Sequence, residues 1–340
     1  MKKVAVVILN WNGRKFLEEF LPPLVAHTPS WAELIVADNA SNDDSIDFVK
    51  EHFPQIRVVI HDENHGFAKG YNAALRQIEA EYYCLLNSDI EVAPNWVEPI
   101  IEFLDKNPDI AVCQPKLLSF SEKNSFEYAG ASGGFIDKFG YPFCRGRLFD
   151  TLEEDKQQYD DITEIFWATG ACMFVRANLY HELGGLDDDF FAHMEEIDFC
   201  WRAKNAGHKV MCCPQSVVYH VGGGSLPKSS PKKTFLNFRN NLVLLYKNLP
   251  KRSIPWVFFM RFILDNVAAI RFLFDSGFGD FKAVYKAYFA FYGSFRKNLR
   301  KRKWIKHKQV SGMYSKSIVF EYYLKRKKYF SDLDKSKFSI

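Results

Sequence analysis

The chain lacks the cysteine pairs that mark a zinc site or a disulfide scaffold. Its seven cysteines are scattered, Cys212 and Cys213 are adjacent, and no Cys-x-x-Cys occurs. An odd set of this kind, with no secretory leader, reads as reduced thiols in a cytosolic compartment. The apolar run at residues 4–9 is too short for a leader and stops at Asn10-Trp11-Asn12-Gly13, so it is read as a first core strand. Two glycine signatures are also missing. Neither the full dinucleotide spacing nor the phosphate-loop Gly-Lys-Ser/Thr is present, which argues against a dehydrogenase or a P-loop enzyme.

No uninterrupted apolar run is long enough to cross a bilayer. The best candidate, residues 254–274, contains Arg261, Asp265 and Arg271. Each central charge costs about 2.5–3.5 kcal/mol on insertion, against roughly 0.3–0.6 gained per large aliphatic residue. A helix lying in the membrane interface fits this composition better. Residues 296–308 are basic without one acid. Such a segment would add attraction to an anionic membrane surface. No recognised nucleic-acid motif accompanies it, so nucleic acid is not an expected partner.

What is present is a repeated alternation. Strand patterns at residues 4–9, 34–37, 57–60 and 82–86 are separated by helical patterns at 15–26, 45–53 and 68–78. Apolar strands alternating with amphipathic helices predict βαβ units and a mostly parallel sheet flanked by helices. Each strand ends in a polar cluster, and open α/β sheets bind ligands at that carboxyl edge. A strand broken by Pro115 is expected at 110–118, a glycine- and aromatic-rich stretch at 130–147 and an acidic loop at 150–161. Short strands are expected at 171–175, 209–213 and 217–220, and helices at 95–107, 176–183, 195–206, 235–248 and 281–295. Gly207 should be the C′ residue after helix 195–206. Gly222-Gly223-Gly224-Ser225 and the basic residues 227–233 read as a break, giving a domain 1–230 and a helical, aromatic and basic region 231–340.

The polar strand ends carry the chemistry. Asn87-Ser88-Asp89 closes the fourth strand, where a carboxylate suits a hard divalent cation shared with substrate phosphates. Asp38, Asn39 and Ser41 follow the second strand. Asp38 is read as a nucleotide contact, with a turn as the plainer alternative; Asp43 or Asp44 should cap the next helix. Asn64-His65-Gly66 follows the third strand, where Gly66 permits a tight turn and the helix start offers N–H groups to an anion. Lys69 could reach a diphosphate, or stay solvated. Downstream, His193-Met194-Glu195-Glu196-Ile197-Asp198 opens a helix with three carboxylates. A carboxylate placed there could take a proton from an attacking hydroxyl. Asp198 could equally form an ion pair with Arg202 four residues on.

Taken in order, residues 8–12, 38–43, 64–67, 86–89 and 195–198 resemble the motifs of family 2 glycosyltransferases, most closely the rhamnosyltransferase-like branch. The resemblance covers about residues 3–248 and implies a GT-A fold, a Rossmann-like α/β architecture. It implies that Asn10, Asn12, Asp38, Asn39, Ser41, Asn64, Gly66, Lys69, Asn72, Asn87 and Ser88 hold a nucleoside diphosphate-sugar. Asp89, with His220, would hold Mg²⁺ or Mn²⁺. Glu196 stands where the family usually has Asp as catalytic base, and Asp198 is the alternative. Trp167, Thr169, Gly170, His193 and Glu195 would line the acceptor pocket, although Trp167 also reads as core. Arg239, in the Asn237-Phe238-Arg239-Asn240 helix motif, would approach the diphosphate. The implied reaction is inverting transfer from a UDP- or dTDP-sugar to a saccharide or lipid-linked saccharide in cell-surface polysaccharide synthesis, at the inner face of the cell membrane. A non-catalytic nucleotide-sugar-binding module and a sugar nucleotidyltransferase are the alternatives.

Overall fold

The computed structural model describes residues 2–222 and 230–340. The first half is built as the alternation predicts. Strands β1 (Lys2–Asn10), β2 (Ala32–Asp38), β3 (Arg57–Ile60) and β4 (Ala80–Asn87) alternate with helices α1 (Arg14–His27), α2 (Ser45–His52) and α3 (Gly66–Leu75). They pair in parallel in the order β3-β2-β1-β4. Val4 to Val7 are fully buried because helices cover both faces of this sheet.

Beyond β4 the sheet becomes mixed. Next come β5 (Ile90–Val92), α4 (Glu98–Lys106) and β6 (Ile110–Ser119). A further run of short strands comprises β7 (Gly134–Asp137), β8 (Pro142–Cys144), β9 (Arg147–Leu148), β10 (Thr151–Leu152) and β11 (Thr163–Glu164). Then follow β12 (Cys172–Arg176), α5 (Ala177–Glu182), α6 (Glu195–Ala206) and β13 (Lys209–His220). β12 enters between β4 and β6, antiparallel to both, while β13 pairs in parallel with β6, so the sheet is mixed beyond the first four strands. Pro115 does not break β6. The partner β13 instead shifts register between Cys213 and Val217, opposite Pro115 and Lys116. That stretch holds Pro214 of β13 itself, and a bulge tolerates a proline's missing N–H. The two short strands expected at 209–213 and 217–220 are therefore one. Gly207 takes a left-handed φ of 101° after α6, as its C′ position requires.

The last part comprises α7 (Pro231–Asn248), α8 (Ile254–Asp275), α9 (Phe278–Gly293), α10 (Phe295–Arg302) and β14 (Met313–Tyr314). The stretch 130–147 carries no assigned element in the sequence reading, and 150–161 reads there as an acidic loop. They instead contribute to a second sheet, β10-β9-β8-β7-β14, in which β14 comes from the far end of the chain. Phe330 and Phe338 pack on Phe135 from β7 with ring centroids 5.1 and 5.2 Å apart. One hydrophobic core contains Ala5, Tyr71 and Phe199 together with Leu244, Phe291 and Tyr322. The division expected at residue 230 is thus no break in the core, and the region 231–340 is not purely helical. Residues 223–229 of the expected linker lie outside the described residues. Among the described residues no helix is long and apolar enough to cross a membrane.

Candidate active site

Three strand ends of the parallel half are laced together by their own polar residues. Asn10 donates from Nδ2 to Asp38 Oδ1 at 3.0 Å and to Ser41 Oγ at 3.1 Å. Asp38 also accepts from the Ser41 amide at 3.0 Å and from its hydroxyl at 2.6 Å. Asn12, at a left-handed φ of 52°, donates its amide to Ser41 Oγ at 2.8 Å and accepts from the Asn42 amide at 2.7 Å. Asn39 donates to Asn64 Oδ1 and to the Gly66 carbonyl, both at 3.0 Å. These residues, all expected to touch the nucleotide, form one rigid polar edge. Gly66 turns at φ 72°, and a Cβ there would meet the Phe191 ring at 2.6 Å.

Two residues expected beside them have other employment. Asn72 donates to the Leu186 carbonyl at 2.7 Å and to Asp188 Oδ1 at 2.6 Å. It accepts from the Tyr180 hydroxyl at 2.6 Å and the Leu186 amide at 3.0 Å. That exhausts the capacity of an amide side chain, so Asn72 ties α3 to the 186–188 loop and is not a ligand contact. Lys69 is half-buried and pairs with Glu63 at 3.1 Å.

Asp89 lies just past β4, and the pairing of β5 with β13 sets Ile90 opposite His220. His220 Nε2 therefore stands 3.2 Å from Asp89 Oδ1, while its Nδ1 is 3.3 Å from Glu127 Oε1. Burial works against charge on both partners. The mutual attraction outweighs it, holding Asp89 below the usual carboxylate range and lifting His220 to about 10. A carboxylate and an imidazole side by side, with a second carboxylate orienting the imidazole, match the donor chemistry and outer support of a metal site. Among the described residues no group of three or more His, Cys, Asp and Glu could hold an ion alone. The remaining positions would thus fall to substrate phosphates, as a hard cation favours. Sequence reasoning missed Glu127, which lies just before the glycine- and aromatic-rich stretch with no motif around it.

The acidic helix start is the other half of the site. Phe191, His193 and Met194 all hold left-handed φ angles, 62°, 70° and 74°. Such backbone costs of order 1–3 kcal/mol per residue and persists only where the surroundings impose it. Here Asn240 on α7 imposes it, donating to the carbonyls of Phe190, Ala192 and His193 at 2.8–3.0 Å. Arg239 adds bonds to the carbonyls of Asp189 and Phe190 at 2.9 and 3.1 Å. It supports this loop, where a diphosphate contact was expected.

The strained segment delivers Glu195 and Glu196 to a water-poor place. Glu195 Oε2, Glu196 Oε2 and His193 Nε2 are buried without a hydrogen-bond partner. Burial raises Glu196 to about 7 and holds Glu195 well above the usual range. Burial, aided by the charge of Lys233, lowers His193 to about 4. Asp198 differs in kind. It is fully buried, accepts from Arg202 Nε at 2.8 Å, Lys247 Nζ at 2.9 Å and Asn248 Nδ2 at 2.8 Å, and so serves as a structural anchor. Both of its oxygens are spoken for, which counts against it as a base.

Gly170 joins the two halves. A Cβ there would sit 3.1 Å from Phe67 and 3.8 Å from the Glu196 Cβ. Its neighbour Ala171 accepts the Asn87 amide at 2.9 Å, tying the Asn87-Ser88-Asp89 turn to the same edge. Thr169 is buried, its amide bonded to Gln114 Oε1 at 3.0 Å. Trp167 is core: its Nε1 donates to the Phe135 carbonyl at 2.8 Å, and only 4% of it is exposed. The acceptor role expected for Trp167 is therefore withdrawn.

Comparison with known proteins accords with this geometry. The glycosyl transferase family 2 model matches residues 5–184, and the chain belongs to that family. It is a glycosyltransferase with a GT-A fold. It is 22% identical over 235 residues to N-acetylglucosaminyl-diphospho-decaprenol L-rhamnosyltransferase of Mycobacterium tuberculosis, covering 64% of this chain and 75% of that one. It is 21% identical over 280 residues to the low-salt glycan biosynthesis hexosyltransferase Agl10 of Haloferax volcanii, covering 80% and 85%. Among solved structures, GalNAc-T7 with UDP, GalNAc and Mn²⁺ aligns with a TM-score of 0.57 at 16% identity, covering 74% of this chain and 49% of that one. The mannosyltransferase PcManGT from Pyrobaculum calidifontis, with GDP-Man and Mn²⁺, aligns at 0.52 and 14% identity, covering 86% and 75%.

Proposed function

We propose that the protein transfers a sugar, with inversion, from a UDP- or dTDP-sugar to a hydroxyl of a saccharide or lipid-linked saccharide in cell-surface polysaccharide synthesis. The observation that carries the proposal is Glu196, a buried carboxyl with a bare oxygen and a pKa of about 7, standing over Gly170 at the ligand edge of the sheet. A base is most effective with a pKa near working pH. Glu196 takes the proton of the acceptor hydroxyl as its oxygen attacks the anomeric carbon. The glycosidic C–O bond forms while the bond to the nucleoside diphosphate breaks, and the diphosphate keeps the electron pair. Attack opposite the leaving group inverts the centre.

Asn10, Asn12, Asp38, Asn39 and Ser41 hold the nucleoside, with Asn64, Gly66, Asn87 and Ser88 near the diphosphate. Asp89 and His220 would hold Mg²⁺ or Mn²⁺, and the chemistry it would supply is positive charge to stabilise a diphosphate leaving group. Thr169, Gly170, His193 and Glu195 border the acceptor. The printed name of the mycobacterial relative, a transferase acting on a diphospho-decaprenol saccharide, supports a lipid-linked acceptor. The enzyme would then work in the cytoplasm, at the anionic inner surface of the membrane. The test is release of nucleoside diphosphate from a panel of nucleotide-sugars, with soluble and lipid-linked acceptors and with Mn²⁺, Mg²⁺ or chelator. Metal-dependent release from one donor is expected; donor binding without turnover across every acceptor would refute transfer.

A further inference from the structure

In the sequence, Arg261 and Asp265 count against a membrane-spanning helix and leave open which face of it could meet a membrane interface. The structure turns both away from the surface. Arg261 is 2% and Asp265 0% exposed. Arg261 donates to Asp265 at 3.1 Å from Nε and again from Nη2. Asp265 also accepts from the hydroxyls of Tyr141 at 3.0 Å and Tyr288 at 2.8 Å. With Val257 and Ala269 these residues form the inward stripe of α8, four apart along one face.

The opposite stripe is apolar and bare. Trp256, Phe259, Ile263, Val267, Ile270 and Phe274 recur at three- and four-residue steps, so they share one face. Their exposures run from 42% for Ile263 to 82% for Phe274. A contiguous patch of this kind marks an interaction surface rather than scatter.

The charges of the segment that carries it say what covers it. Residues 254–308 contain only three acids, Asp265, Asp275 and Asp280, against twelve lysines and arginines. Two of the acids are buried, and Asp275 pairs with Arg271 at 2.8 Å. On and after α10, Arg296, Arg300, Lys303 and Lys306 are exposed and form no ion pair among the described residues. Trp304, 89% exposed, stands among them. A second copy of the chain seated symmetrically on this face would bring like charges together. An anionic bilayer complements both features, apolar burial and positive charge.

We infer that the outward face of α8, with the basic segment following α9, is a docking surface for an anionic lipid bilayer. This deepens the reading of a membrane-borne acceptor but stands on its own observations. The test is flotation of the full chain with phosphatidylcholine vesicles, with or without phosphatidylglycerol, in the absence of donor and acceptor. The wild type should float with the phosphatidylglycerol vesicles and be released by high salt. Phe259→Ser/Ile263→Ser/Val267→Ser, altering exposed positions only, should weaken binding at least about tenfold. Arg296→Gln/Arg300→Gln should abolish the preference for phosphatidylglycerol.

Nucleoside diphosphate release with a water-soluble acceptor should be the same in all three proteins. Loss of flotation with intact release therefore separates docking from transfer, and flotation without any release sinks the transfer reading alone. Unchanged flotation of both variants would overturn the inference. So would a wild type that stays in the aqueous fraction as a dimer which the triple variant converts to monomer.

Discussion

Replacing Glu196 with glutamine removes a proton acceptor and leaves the shape of the side chain nearly unchanged. The structure gives two consequences of opposite sign. A positioned base contributes about a hundredfold to ten-thousandfold to rate, so kcat should fall by that factor, equivalent to about 3–5 kcal/mol of barrier. Stability should move the other way. Burial lifts this carboxyl from its ordinary 4.5 to about 7 in the folded protein, so between those values the folded state holds a proton that the unfolded state has released. Wild-type stability therefore falls as pH rises from about 4.5 through 7, by no more than about 3 kcal/mol. The glutamine variant should escape that loss, being more stable than wild type at pH 8 and equal to it at pH 4. Urea unfolding at the two pH values, beside steady-state rates, reads both effects. The wild-type kcat/KM should also decline below pH 7 with unit slope, as the base becomes protonated. A variant within threefold of wild-type rate, or one whose stability gain is the same at both pH values, would refute the reasoning.

Four further outcomes follow from the same geometry. Asp89→Ala should abolish the enhancement of nucleoside diphosphate binding by Mn²⁺ in titration calorimetry while leaving metal-free binding intact; unaltered enhancement would exclude Asp89 as a ligand. Lys247→Met removes one of the two cations paired to each of Asp187 and Asp198 and should cost about 1–3 kcal/mol in denaturant unfolding, because Lys301 and Arg202 still hold them. Asn240→Ala frees three carbonyls of the left-handed segment and should lower kcat by tenfold or more with little change in donor affinity, since mispositioning by about 1 Å can cost a hundredfold. Trp167→Ala should cost about 3–5 kcal/mol of stability, which a drop in melting temperature would register, and should leave acceptor KM unchanged in protein that remains folded.

The parallel half of the fold was legible because its strands and helices keep clean periods over four residues or more. The polar strand ends were legible for the same reason: a pattern change at a buried strand marks an edge. The second sheet was not, since strands of two to four residues with glycines and aromatics carry no usable period. Its closing strand, β14, begins at Met313 while β7 ends at Asp137, a pairing that no local signal announces. The continuous β13 was read as two strands because Pro214 and the bulge around it interrupt its pattern. At the site, Asp89 and Glu196 stood out by type and position. Asn72 and Asp198 look identical to ligands in sequence, and only their saturated hydrogen bonds tell them apart. Glu127 reaches His220 through tertiary folding alone. On α8, the inward turn of Arg261 and Asp265 depends on Tyr141 and Tyr288, which lie on other elements.

The most direct test of the account is the anomeric configuration of the product, followed by proton NMR from the first turnover with the donor that the panel identifies. Single displacement assisted by Glu196 predicts a product inverted relative to the donor, formed by wild type and barely at all by Glu196→Gln. A product that retains the donor's configuration would contradict it.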